Sequence, residues 1–314
     1  MELDIHYDRT SAEALVYKNA QALSLKNDLA IQHLTNVQTD CLVVQQCDPS
    51  KKMWKLLVYD ATAEEYCEIV FRMEGVLVTA DLVVANNIGR RVSRQAIVLS
   101  LTTRVKLVGL DCQAFKLALQ QTKLIQGAFK RHFGTQVTAW NVRDDLSDGF
   151  LNISANFFTR SNGTDGLEAV AVGEGVDPFS ILPKFKGAGL VHTIDNAVKY
   201  YRKSVDANGA VFYDKIFPGN FRVGDTVEVR ASATVVSSKH SALKIHFHLH
   251  AMILHDARFS KAAEEKRVTA NPPFETKKRL RKKGAAVDED LEVGETRKKL
   301  KQLAVTDDMD STPT

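Results

Sequence analysis

The sequence predicts a mainly β protein built of antiparallel sandwich-like or barrel-like units, with one long α-helix at about 110–133 and a disordered C-terminal tail. Three observations predict it. Runs rich in valine, isoleucine and aromatics recur between glycine and Asn/Asp turn clusters, as short antiparallel strands require. A single stretch sustains an apolar period of three and four residues. After Phe274 aromatic residues vanish while charge persists, so that segment cannot bury enough surface to offset its ordering entropy.

The elements follow in order. Ser11–Ala30 carries a weak helical pattern. Cys41–Gln46 and Lys52–Asp60 flank Asp48-Pro49-Ser50, a hairpin signal. Tyr66–Met73 and Gly75–Ala85 read as strands, and Asn86-Asn87-Ile88-Gly89 as the turn before Gln95–Val108. Over Leu110–Phe133, residues Phe115, Leu119, Thr122, Ile125 and Phe129 share one helical face, and Lys116, Lys123 and Lys130 another. Gly134 follows where a helix ends in a left-handed residue. Strand patterns resume at Gln136–Val142 and Phe150–Thr159. After a glycine-rich link they continue at Gly189–Arg202, Ala210–Phe217, Phe221–Val236 and Leu243–His255. The expected division is an N-terminal β-rich unit ending in the helix (1–145), a C-terminal antiparallel β unit (146–256) and a charged tail (257–314).

Charge is segregated along the 314 residues. The net +4 combines −5 over residues 1–71, +7 over 72–131, +6 over 256–283 and −4 over 284–314. In the tail Lys277, Lys278, Arg279, Arg281, Lys282 and Lys283 surround a lone leucine, a density no core absorbs. Such a cluster reads as a nuclear import signal, which makes the nucleus the expected location and an import receptor an expected partner. Arg90, Arg91 and Arg94 stand between two strand-like runs as a clamp for phosphates. Arg104, Lys106, Lys116, Lys123, Lys130 and Arg131 keep the following strand and helix positive. The expected partner is therefore nucleic acid, DNA first, bound with salt-dependent affinity and little sequence preference.

Other classes find less support. No apolar run approaches the roughly 18 residues of a membrane span, and the four cysteines are scattered without zinc-site spacing. No phosphate-binding lysine loop, nucleophile elbow or zinc-protease helix occurs, so the chain reads as non-enzymatic and without a cofactor. His192, Asp195 and Ser204 could be imagined as a triad, though proximity in sequence fixes no geometry. His246, His248 and His250 alternate along a strand and would share its polar face, a third reading as a metal site. The alternative from another class is a self-assembling interaction module, a homo-oligomer whose tail serves import alone.

Two motif-level likenesses add to this. Phe221-Arg-Val-Gly224-Asp225 followed by a long strand and hairpin is the pattern of small closed barrels, oligonucleotide-binding folds among them, with Tyr200, Tyr201, Phe212, Tyr213 and Phe217 on hand for stacking. Asp177-Pro-Phe with Leu182-Pro183, Gly189-Leu-Val-His192-Thr-Ile-Asp195-Asn196, Tyr200-Tyr201 and Phe221-Arg-Val-Gly224-Asp225 resemble a family of uncharacterised proteins abundant in mushroom-type fungi. That resemblance covers about residues 177–230 and implies an origin, with no activity and no functional residue.

Overall fold

The computed structural model describes residues 3–25, 28, 30–48, 53–82, 101–134, 137–138, 149–161, 167–173, 175–177, 182, 189–237 and 243–270. One compact unit spans Met1–Lys266; the second, Arg267–Thr314, is described only at 267–270. Asp8 opens the first helix, α1 (Arg9–Ser24), by accepting from Ser11 N at 3.0 Å, and Ala12, Val16, Ala20 and Leu23 form its buried stripe. Then come β1 (Ile31–His33), β2 (Val43–Asp48), β3 (Met53–Asp60), β4 (Glu65–Glu68), β5 (Val70–Asp81) and β6 (Thr102–Val108). The predicted hairpin is present as antiparallel β2 and β3.

The long helix, α2, runs Gln113–Phe133 rather than from 110. Leu110 and Asp111 hold φ of +53° and +73°, a left-handed turn that no helix contains. Phe115 enforces this turn: a Cβ on Gly109 would lie 2.4 Å from its side chain, so only a bare backbone passes. Gly134 ends the helix at φ +70°, as its position predicts.

Beyond α2 lie β7 (Val137–Thr138), β8 (Phe150–Asn156), β9 (Thr159–Arg160), β10 (Leu190–Val191), β11 (Lys199–Val205), β12 (Val211–Lys215), β13 (Thr226–Ser237) and β14 (Leu243–Asp256). The chain is mainly β, as predicted, but the sheet is mixed: β1 pairs parallel with β5, and β14 pairs parallel with β7, β8 and β11. The stretch predicted as one strand over 189–202 is two, β10 and β11, separated by a 3-10 turn at Ile194–Asn196.

Five strands close a circuit: β5–β6–β8–β14–β13 and back to β5. In chain order the circuit runs first, second, third, fifth, fourth, and its third and fifth strands are parallel. Their junction is thin, a single register pair between His248 and Ser154. Phe71, Met73, Leu107, Ile153, Ala231, Phe247 and Leu249 are buried and share the inward side, and the Phe71 and Phe247 rings approach to 6.2 Å. Helix α2 closes one end through Phe115, which packs against Gly75 and Gly109. The connection from β8 to β13 carries β9–β12 and a small separate core of Phe157, Phe158, Leu182 and Leu190.

Two expectations need correction. Strands from both sides of residue 145 interleave in this ring, so a split at 145/146 does not describe the chain. Nor does order end at 256: α3 (Arg258–Ala270) follows, making three α-helices among the described residues. Phe259 packs edge-on to Tyr7 at 6.3 Å, and the Ser260 hydroxyl donates to the fully buried Asp225 at 2.5 Å. These anchors are far away in sequence, which is why local composition predicts a tail there.

Candidate nucleic-acid interface

The outward side of β6 and β8 is polar because their inward residues, Val105, Leu107, Leu151, Ile153 and Ala155, fill the ring. Period-two alternation then sends Arg104, Lys106, Asn152, Ser154 and Asn156 outward. Cross-strand register sets Arg104 opposite Ser154 and Lys106 opposite Asn152. The Lys106 ammonium lies 3.7 Å over the Phe150 ring, which fixes a cation without neutralising it. Thr102 Oγ1 donates to Asn156 Oδ1 at 3.4 Å. On its other side Arg104 stands opposite Asp81 of β5. The result is a shallow wall with two cations and exposed amides, suited to sugar and phosphate oxygens.

The helical cations lie elsewhere. Lys116, Lys123, Lys130 and Arg131 are exposed on α2, opposite its packed stripe of Phe115, Leu119, Thr122, Ile125 and Phe129. Lys116 pairs with Asp111 at 3.0 Å, an exposed contact of little energetic weight. The expected basic surface is thus divided between the β6 outer wall and the solvent side of α2. Arg90, Arg91 and Arg94 lie outside the described residues, within the connection from β5 to β6. Lys277, Lys278, Arg279, Arg281, Lys282 and Lys283 also lie outside them.

The three histidines do line one side of β14, with ring centroids 6.3 and 5.1 Å apart. Each ring is engaged with protein. His246 Nε2–H donates to Ser154 O at 3.1 Å, His248 Nε2–H donates to Asp195 O at 2.6 Å, and His250 Nε2 meets Ser232 Oγ at 2.8 Å. Burial, then the neighbouring His248, pushes His246 and His250 down to about 4; burial also lowers His248. Among the described residues no group of three or more His, Cys, Asp or Glu is placed to hold a metal ion. The row serves instead as tethers: His246 reinforces the β8–β14 junction where the backbone ladder is thinnest, and His248 holds the 194–196 turn. The imagined triad does not assemble either, since His192 Nδ1 donates to Phe157 O at 2.7 Å while Ser204 donates to Asp214 at 3.0 Å.

A buried polar layer on the outer side of β5 and β13 has no signal in the sequence. Glu74 stands opposite Glu228 and Arg72 opposite Arg230. His33 Nε2 lies 2.6 Å from Glu74 Oε2, Arg230 Nε donates to Glu228 Oε1 at 2.8 Å, and His255 Nε2 is 3.5 Å from Glu228 Oε2. Burial pushes Glu228 up, but His255 and Arg230 outweigh it and hold the carboxyl below its usual range. Strand alternation predicts an outward polar side there; α1, whose Leu23 O accepts from Arg72 at 3.3 Å, and β1, whose His33 meets Glu74, help to make it interior.

At the end of the ring away from α2 a cavity of about 400 Å3 opens. Thr103 and Phe157, at the ends of β6 and β8, line it together with His192, Tyr200 and Phe217. Three of the aromatics expected to stack, Tyr200, Tyr201 and Phe217, come together there; Phe212 and Tyr213 do not. Among the described residues no helix is long and apolar enough to cross a membrane.

No protein-family model matches the chain and no curated protein matches it.

Proposed function

We propose that the protein is a non-enzymatic, single-strand nucleic-acid-binding protein that works in the nucleus. The observation that carries this reading is the closed five-strand circuit whose third and fifth strands run parallel. Oligonucleotide-binding barrels have five strands and bind across the outer side of the second and third, helped by the first-to-second and fourth-to-fifth connections. Here the second and third ring strands are β6 and β8, whose outer side presents Arg104, Lys106, Asn152 and Asn156. The first-to-second connection contains Arg90, Arg91 and Arg94, and the fourth-to-fifth contains Lys239. The basic side chains contact phosphates, which gives affinity without base readout. The cluster Lys277–Lys283 acts as the import signal, read by an import receptor.

Fluorescence anisotropy with labelled single-stranded and duplex oligonucleotides, from about 50 to about 200 mM salt, tests the reading. The expected outcome is preference for single strands, with log affinity falling linearly in log salt. Arg104→Glu with Lys106→Glu should shrink that slope by roughly 0.7 per phosphate contact removed. Absence of binding at the lowest salt, or affinity indifferent to salt, overturns it.

One observation favours a second reading. Among the described residues β12 is a sheet-edge strand with Val211, Phe212 and Tyr213 exposed, and an edge of that kind templates pairing with another chain. If oligonucleotides fail to bind and light scattering finds an oligomer, self-assembly replaces nucleic-acid binding as the function.

A further inference from the structure

The cavity at the ring's open end lies at the strand ends beside the outer wall of β6 and β8. Thr103 and Phe157, which line the cavity, are chain neighbours of Arg104 and Asn156 on that wall, with Thr103 on the inward side of β6. The cavity's size falls in the range of small-ligand sites. Its sides are rich in planar rings. Phe157 stacks on His192 at 4.6 Å with an interplanar angle of 28°, and Tyr200 is buried behind Thr103. Phe217 rests against the bare backbone of Gly175 and stays 62% exposed. Lys199 and Lys215 are exposed among the lining residues, and none of the described lining residues is a carboxylate. Rings inside and cations at the solvent side match a planar heterocycle that carries an anion.

We infer that this cavity captures one nucleobase of the bound strand against its aromatic side chains, while the attached phosphate pairs with Lys199 and Lys215. The inference rests on the single-strand reading above and adds a subsite to it. It gives the strand a fixed register on the protein, because one nucleotide is anchored while its neighbours lie along β6 and β8. It also gives Phe217 a use for its exposure, since a ring held on one side by Gly175 keeps its other side for stacking.

The experiment places 2-aminopurine at each position of a single-stranded oligonucleotide in turn and reads its fluorescence with the full chain. Stacking on a protein ring should quench the reporter at one position only. An oligonucleotide abasic at that position should bind about tenfold more weakly, within the range for loss of one base–aromatic stack. Ala171→Trp, which fills the cavity, and separately Lys199→Glu with Lys215→Glu, on exposed side chains, should reproduce the weakening. The lysine pair keeps the test decisive if the tryptophan variant fails to fold. If oligonucleotides bind but quenching is even along the strand and both variants bind like the parent, the cavity inference is overturned while the strand-binding reading stands. If no oligonucleotide binds even at low salt, both fall.

Discussion

His246 and His250 stay neutral in the folded protein because burial, with His248 alongside, pushes each down to about 4. In the unfolded chain the same side chains take up a proton near 6.5, so between these values the unfolded state binds more protons. Their contribution to stability is complete above pH 6.5 and is lost as pH falls toward 4. Urea unfolding at pH 7.5 and pH 5 should therefore show a loss of about 4 kcal/mol, roughly 2 for each histidine, beyond that of a His246→Gln, His250→Gln variant, which keeps donors but does not titrate. Equal pH dependence in parent and variant would rule the tether account out. The alternation of these histidines with Ile245, Phe247 and Leu249 is legible in the sequence; their partners are not. The carbonyls of Ser154 and Asp195 lie 92 and 53 residues away, beyond any local pattern. The Glu74–Glu228 layer is illegible for the same reason, since each glutamate looks like one more solvent-facing strand residue.

Among the elements, α2 is legible because its own side chains determine it: an apolar stripe long enough to cover the ring's end, with glycine after it. Helix α3 is the converse. Its residues are mostly exposed, with Ser260 and Ala263 buried, and its order derives from Tyr7, Arg222 and Asp225. Truncation after Ala257 removes the Ser260 donor from Asp225, whose carboxyl burial already pushes upward. It also removes the Phe259 contact with Tyr7. The truncated chain should lose about 2–4 kcal/mol in denaturant unfolding, combining an orphaned buried acceptor with a lost aromatic contact. An unchanged midpoint would return these residues to the tail.

Across the whole molecule, strand content is readable from composition, and closure is not. Nothing local in β8 announces a parallel neighbour about 90 residues later, and the charge segregation does not foretell that α2 and β6 present their cations on different surfaces. β5 and β13 are buried on both sides, whereas every residue of β12 is exposed. Native-state hydrogen exchange should accordingly find the β5 and β13 amides slowest and those of β12 fastest, a gradient set by burial. Uniform exchange across the sheet would contradict the ring as the cooperative centre.

The order of strands around the circuit also sets a timetable for synthesis. β5, β6 and β8 leave the ribosome about 100 residues before the β13–β14 hairpin that must be inserted between β5 and β8. At roughly 5–20 residues per second that is an interval on the order of ten seconds. During it the nascent chain carries a three-stranded sheet with both margins unpaired and its apolar side uncovered. A product ending before β13 begins at Thr226 keeps that open sheet permanently, a natural target for chaperone binding or clumping.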